Sequence, residues 1–138
     1  MKSTIEKIGT EISAFMQNIA GCEDTKFILV PYFDLSQVKK LKIIVTPEAW
    51  TTDNTGSATR GCVSTKYKFN IGIFKKVKDD SEVSDLLCLV ELISKSLERK
   101  TIAGFFITSV ENDPVYDMNS LRTSKVFVSA LTANIKVL

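Results

Sequence analysis

Hydrophobic residues recur near the start of the chain with the spacing of a helix that buries one face. They are Ile5, Ile8, Ile12, Phe15, Met16 and Ile19. Ser3 and Glu6 form the pattern of a capping box, and Gly21 is well placed to end the helix. The pattern therefore predicts a helix at about residues 3–20.

A different period, of two residues, governs the segment Cys62–Lys76. Its apolar positions are Val63, Thr65, Tyr67, Phe69, Ile71 and Ile73, and polar residues or glycine lie between them. Strict alternation is typical of a strand with one buried face. Four further strands are predicted from β-branched and aromatic content, at Lys26–Phe33, Leu41–Thr46, Gly104–Val110 and Lys125–Val137.

A second helix is predicted to begin after the acidic turn at Asp79 and to continue to about Arg99. Acidic residues at its start and basic residues at its end complement the helix dipole. The predicted element order is α-β-β-β-α-β-β, in a single domain spanning residues 1–138. We expect an α+β fold in which two helices pack on one face of a mostly antiparallel sheet of four to five strands.

Several of the predicted strands are apolar at consecutive positions. Examples are Phe27–Val30, Ile43–Val45, Phe105–Ile107 and Val126–Val128. A sheet covered on one face alternates between apolar and polar residues, so these strands need a cover on the second face. Cys88 and Leu92 also fall on the polar side of the second helix, although single exposed apolar residues are common. A subunit interface explains both features.

The chain has 18 basic and 16 acidic residues and no histidine. Its net charge of +2 does not indicate a large duplex-binding surface. The missing histidine excludes Ser-His-Asp and Cys-His nucleophiles, imidazole acid–base catalysis and histidine-containing zinc sites. No nucleotide-binding or metal-binding motif stands in its place. We therefore expect no enzyme activity, no cofactor and no resident metal.

The chain's apolar runs are too short for a signal segment or a membrane span. Its three cysteines are odd in number and widely spaced, so we expect reduced thiols in a cytoplasmic protein.

Three groups of residues are candidates for function. Lys66, Lys68 and Lys76 project from the polar side of the alternating strand, either toward nucleic acid or as an ordinary solvated face. Trp50 and Arg60 lie in the polar segment 47–61, which is predicted to be a long loop. Trp50 is either an interface residue or a lid on the core. The acidic cluster Glu111, Asp113 and Asp117 is either a turn or a cation site.

The order of these segments and their pattern of apolar and polar residues resemble those of the tail terminator (tail completion) proteins of long-tailed bacteriophages. The likeness includes the N-terminal helix, the strand Leu41–Thr46 followed by Pro47, and the polar loop with Arg60. It continues through the alternating strand Tyr67–Ile73, the helix at Glu82–Glu91 and the final strand at Lys125–Leu131.

The resemblance implies a hexameric ring that caps the tail tube and offers the docking surface for the head. Its implied partners are other copies of the chain, the tail-tube protein and the head–tail connector protein. DNA would pass through the lumen without specific binding. The location would be the virion tail, assembled in the host cytoplasm. Another neck or tail component, or a small nucleic-acid-binding or ligand-binding module, remains an alternative.

Overall fold

The computed structural model describes residues 2–29, 40–53, 64–113 and 115–137. Within these ranges the chain forms three helices and one six-stranded sheet. In chain order the elements are α1 (Thr4–Met16), β1 (Lys26–Phe27), β2 (Lys42–Asp53), β3 (Ser64–Lys76), α2 (Asp80–Leu97), β4 (Thr101–Ile102), β5 (Phe105–Asn112), α3 (Met118–Ser124) and β6 (Val126–Val137). The α+β class is confirmed.

The strands lie in the order β1-β2-β3-β6-β5-β4. Neighbouring strands are antiparallel except β1, which runs parallel to β2. The prediction of four to five strands and two helices was therefore wrong in detail. It missed β4 because two residues are too few to show alternation. It missed α3 because this short helix is mostly polar and has no apolar stripe.

Strand β2 is twice as long as the predicted strand, because it continues through Pro47 and Trp50 to Asp53. A bulge between Pro47 and Ala49 accommodates the proline, after which pairing with β3 resumes. The predicted loop 47–61 was therefore wrong over its first seven residues, and its remainder lies outside the described residues. The strand predicted at 26–33 is β1 at Lys26–Phe27, and residues 30–33 are likewise outside the description.

The capping box at the start of α1 is confirmed. The backbone N–H of Ser3 donates to Glu6 Oε2 at 2.8 Å, and the N–H of Glu6 donates to Ser3 Oγ at 3.2 Å. The helix ends at Met16, earlier than predicted. Beyond it the N–H groups of Asn18 and Ile19 donate to carbonyls three residues back, which is the tighter pattern of a frayed last turn.

The core lies between one face of the sheet and the two longer helices, α1 and α2. Its fully buried larger side chains include Ile12, Met16, Phe69, Ile71, Ile73, Ile93, Leu97, Ile107, Phe127, Leu131 and Ile135. Helix α1 contacts β1 and β2 and also β4 at the opposite edge, so the sheet curls around this helix. Helix α2 packs on β5 and β6.

Candidate functional site

The face of the sheet opposite α1 and α2, called here the second face, carries the most distinctive surface of the described chain. Alternation on β3 sends Phe69, Ile71 and Ile73 into the core and the intervening side chains to the second face. Strand pairing then decides which side chains of β2, β6 and β5 lie beside them. The second face has an apolar half, bordered by Lys42 and Lys76, and a half at the other end of the strands that is lined by Lys66, Lys68 and Lys136.

The apolar half is built around Gly72. Its residues are Ile44, Gly72, Phe74, Val126, Val128 and Ala130. The Phe74 ring lies over Gly72, where a Cβ would stand 2.5 Å from the ring. Ile44 and Val126 are buried within the single chain. The consecutive apolar residues at 43–45 and 126–128 therefore do not by themselves require a subunit interface, which is a correction to the sequence argument.

At the other end of the second face the residues form a groove of about 520 Å³, called here the lysine groove. It is lined by Thr51, Lys66, Lys68, Thr108, Ser109, Asn134, Ile135 and Lys136. None of these residues is acidic. Strand register places Lys66 directly opposite Lys136 and Lys68 directly opposite Asn134. Two lysines opposite each other repel, so this end of the sheet retains an unfavourable charge arrangement.

Hydrogen bonds fix the wall of the lysine groove on the side of β5. Asn134 Nδ2 donates to Ser109 Oγ at 3.0 Å, and Thr108 Oγ1 donates to the carbonyl of Asn134 at 3.1 Å. Both bonds lie at the bulge between Ile107 and Ser109, where the pairing of β5 with β6 shifts. The bulge gives the groove its polar, ordered wall.

The three lysines predicted on the polar side of β3 all lie on the second face, and two of them line the groove. Lys66 and Lys68 are exposed and adjacent on the second face, as alternation predicted. Lys76 is on the same face but lies ten residues after Lys66, about 33 Å further along the strand β3. Lys136 was missed because its neighbours in sequence are apolar, and only the register of β6 brings it opposite Lys66.

The predicted interface residues within the described ranges lie on two different elements, β2 and α2. Trp50 lies opposite Tyr67 near the end of β2 and is 60% exposed, so it is not a lid on the core. Cys88 and Leu92 are exposed on α2, and Leu92 is 45% accessible. Arg60 lies outside the described residues.

No group of three or more cysteine, aspartate or glutamate side chains in the described ranges is placed to hold a metal ion. In the acidic cluster, Asp117 instead caps α3 by accepting from the N–H of Asn119 at 3.1 Å. Burial, reinforced by the charge of Glu23, raises the pKa of the Cys22 thiol to about 11. This cysteine is therefore protonated and inert at neutral pH.

None of the described helices is both long and apolar enough to cross a bilayer.

Neither a family model nor a curated protein matches the chain. Solved structures do match it over nearly its whole length. A chain of the virion of a native gene transfer agent particle is similar with a TM-score of 0.56 and 8% identity, covering 99% of this chain and 98% of that one. Another solved chain, which carries no functional description, matches with a TM-score of 0.54 and 10% identity, covering 100% and 96% respectively. At these identities the likeness establishes a shared fold.

Proposed function

We propose that this chain is a structural protein of a phage or phage-like virion that ends the tail tube as a ring of identical copies. The observation that carries the proposal is the end-to-end fold similarity to a chain of the gene transfer agent virion. The match covers almost all of both chains, so the similarity extends over the whole domain and is not limited to a shared motif. The resemblance of segment order to tail terminator proteins makes the proposal specific.

The chemistry of the molecule supports an assembly role over a catalytic one. The chain contains no histidine, and no group of three or more cysteine, aspartate or glutamate side chains among the described residues is placed to hold a metal ion. Its exposed large apolar side chains include Trp50 and Leu92, and tryptophan is among the residue types enriched at interface hot spots. A domain with these properties acts through contacts with other chains.

In the proposed assembly the ring has six copies and lies on the last ring of the tail tube. Its partners are the tail-tube protein on one side and the head–tail connector protein on the other. DNA passes through the lumen without specific binding. Head-to-tail contacts between identical subunits close into rings when the rotation between neighbours closes.

Native mass spectrometry of the purified chain, alone and with polymerised tail-tube protein, tests the proposal. We expect a hexamer, either free or formed on the tube, and tubes of constant length once the chain is added. Electron microscopy of labelled particles should place the chain at the head-proximal end of the tail. A chain that stays monomeric with tubes present would overturn the ring, and a label elsewhere in the neck or tail would favour another virion component.

A further inference from the structure

We propose that the lysine groove binds the phosphate groups of a nucleic-acid backbone without reading its sequence. The proposal goes beyond the assembly role and does not rest on it. Its residues are Lys66, Lys68 and Lys136, with Thr51, Ser109 and Asn134 as neutral hydrogen-bonding groups around them.

The charge arrangement of the groove is the first argument. Lys66 and Lys136 lie directly opposite each other, and Lys68 follows on the same face of β3. No acidic side chain is among the described residues that line the groove. Like charges held together in a concave surface create a positive potential that an external anion relieves. The groove is therefore complementary to an anionic partner.

The kind of cation in the groove is the second argument. All three charges are lysines, and no arginine is among the described residues that line the groove. Arginine's planar fork is suited to bidentate recognition of both carboxylates and phosphates, whereas lysine acts as a mobile point charge that contacts an anionic group without strict geometry. Lys66 and Lys68 are about 6.7 Å apart along the strand, so two flexible stems can reach successive groups of an extended polyanion. Two lysines at this spacing suit an extended polyanion, and competition by polyglutamate in the test below distinguishes phosphate from carboxylate.

The composition of the groove also predicts what it does not recognise. No aromatic side chain is among the described residues that line it: Phe106 lies opposite Lys136 on β5 but outside the lining, and Trp50 lies on the other face of β2, paired with Tyr67. Proteins that hold bases stack them on aromatic rings, and sequence readout needs contacts with base edges. Contacts confined to phosphates position a nucleic acid and carry no sequence information. Binding should therefore be weak, independent of sequence and strongly dependent on salt.

The test is a fluorescence anisotropy titration of labelled random-sequence duplex DNA with the full chain, over a series of salt concentrations. Three phosphate contacts predict that log K falls with log salt with a slope of about −2.7, or 0.9 for each lysine. Lys66→Gln, Lys68→Gln and Lys136→Gln should each reduce the slope to about −1.8. Each should also weaken binding on the order of tenfold at about 50 mM salt.

Lys76→Gln is the matched control, because it removes the same charge from the same face of β3 at the far end of the strand. It should leave both slope and affinity nearly unchanged, and thermal unfolding should show that all four variants fold.

Three results would overturn the proposal. They are no DNA binding at about 50 mM salt, an equal loss of DNA affinity in Lys76→Gln, or displacement of the labelled DNA by polyglutamate as effectively as by unlabelled DNA at equal charge. The last result would identify an acidic protein segment as the occupant. None of these outcomes bears on ring formation, so the groove and the assembly role fail separately.

Discussion

Two glycines mark the places where an aromatic ring lies directly against the backbone. The Phe27 ring occupies the space that a Cβ on Gly9 of α1 would fill, and it also contacts Phe69 with ring centroids 6.4 Å apart. On the second face the Phe74 ring covers Gly72 in the same way. In both places the absence of a side chain lets an aromatic ring approach the backbone closely. At Gly9 this contact packs α1 against Phe27, and at Gly72 it covers part of the second face.

Gly9→Ala should therefore destabilise the protein by about 1–3 kcal/mol, the usual cost of overpacking. An alanine in a helix interior is normally more favourable than glycine by roughly 1 kcal/mol, so the expected sign is reversed. Denaturant unfolding measures the effect. The matched background is Phe27→Leu, in which Gly9→Ala should cost less because the ring is gone. Stabilisation by Gly9→Ala in the native background would contradict the packing described.

The cysteines make a second prediction at the scale of single residues. Cys22 is buried with its pKa raised to about 11, whereas Cys88 is exposed on α2. In a Cys62→Ser variant at neutral pH, a thiol reagent should modify Cys88 quickly and Cys22 only after unfolding. Mass spectrometry of the labelled peptides distinguishes the two sites. Fast labelling of Cys22 in the folded protein would show that the site is open.

The same burial has a consequence for stability. The folded chain holds the Cys22 proton more tightly than the unfolded chain, whose thiol has a pKa near 9. This contribution is complete below pH 9 and is lost as pH rises toward about 11, so stability should fall across that window. Cys22→Ala should remove this component of the pH dependence, whereas Cys88→Ala should retain it.

At the scale of elements, the long alternating strand β3 was predicted closely. Strand ends that depend on pairing with a neighbouring strand were not predicted. The pattern of β3 gave its position to within two residues of Ser64–Lys76. The end of β2 could not be predicted, because Pro47 and the polar residues after it are typical of a loop. Those residues form a strand because β3 offers them a partner edge, and the bulge removes the conflict with proline.

The end of β5 also depends on contacts with its neighbouring strand. The segment around Asn112 has the composition of a turn, yet this asparagine joins β5 to β6 from within the sheet. Its Nδ2 donates to Ser129 Oγ at 3.0 Å and to the carbonyl of Ala130 at 2.9 Å. Ser129 is fully buried, so the asparagine satisfies a polar group that has no access to water.

Asn112→Ala should cost about 1–3 kcal/mol, because it leaves the buried hydroxyl of Ser129 without this donor. The matched control is Asn134→Ala, which breaks a similar bond to Ser109 at 3.0 Å. Both residues of that second pair are partly exposed, so water can replace the lost bond and the cost should be smaller. Equal costs in thermal or denaturant unfolding would count against burial as the reason.

At the scale of the whole molecule, the described part of the chain buries more of its own apolar surface than the strand pattern led us to expect. Much of the apolar half of the second face is already buried by the chain itself, as Ile44 and Val126 show. Among the described residues, the surfaces open to partners include the lysine groove and several exposed apolar side chains, of which Trp50 is the most exposed. The proposed ring therefore depends on the exposed apolar side chains and on the fold shared with the virion chain, not on the lysine groove or on an unfinished core.

Trp50→Ala should weaken self-association by at least tenfold while changing the monomer's free energy of unfolding by no more than about 1 kcal/mol. The reason is that Trp50 is mostly exposed and, within the chain, is paired across the strands with Tyr67. Met118→Ala is the matched control, since Met118 is 57% exposed and belongs to no predicted interface. Analytical ultracentrifugation of both variants, alone and with tail tubes, measures the difference. Unchanged assembly in Trp50→Ala would remove this residue from the interface.

The sequence by itself determined the α+β class, the two longer helices, the alternating strand and the absence of histidine chemistry. Each of these depends on local periodicity or on residue type. Only the tertiary structure decided the length of β2, the curl of the sheet around α1 and the meeting of Lys66 with Lys136. These depend on the register between strands that are distant in sequence, and register is set by pairing and burial rather than by any one strand's own pattern.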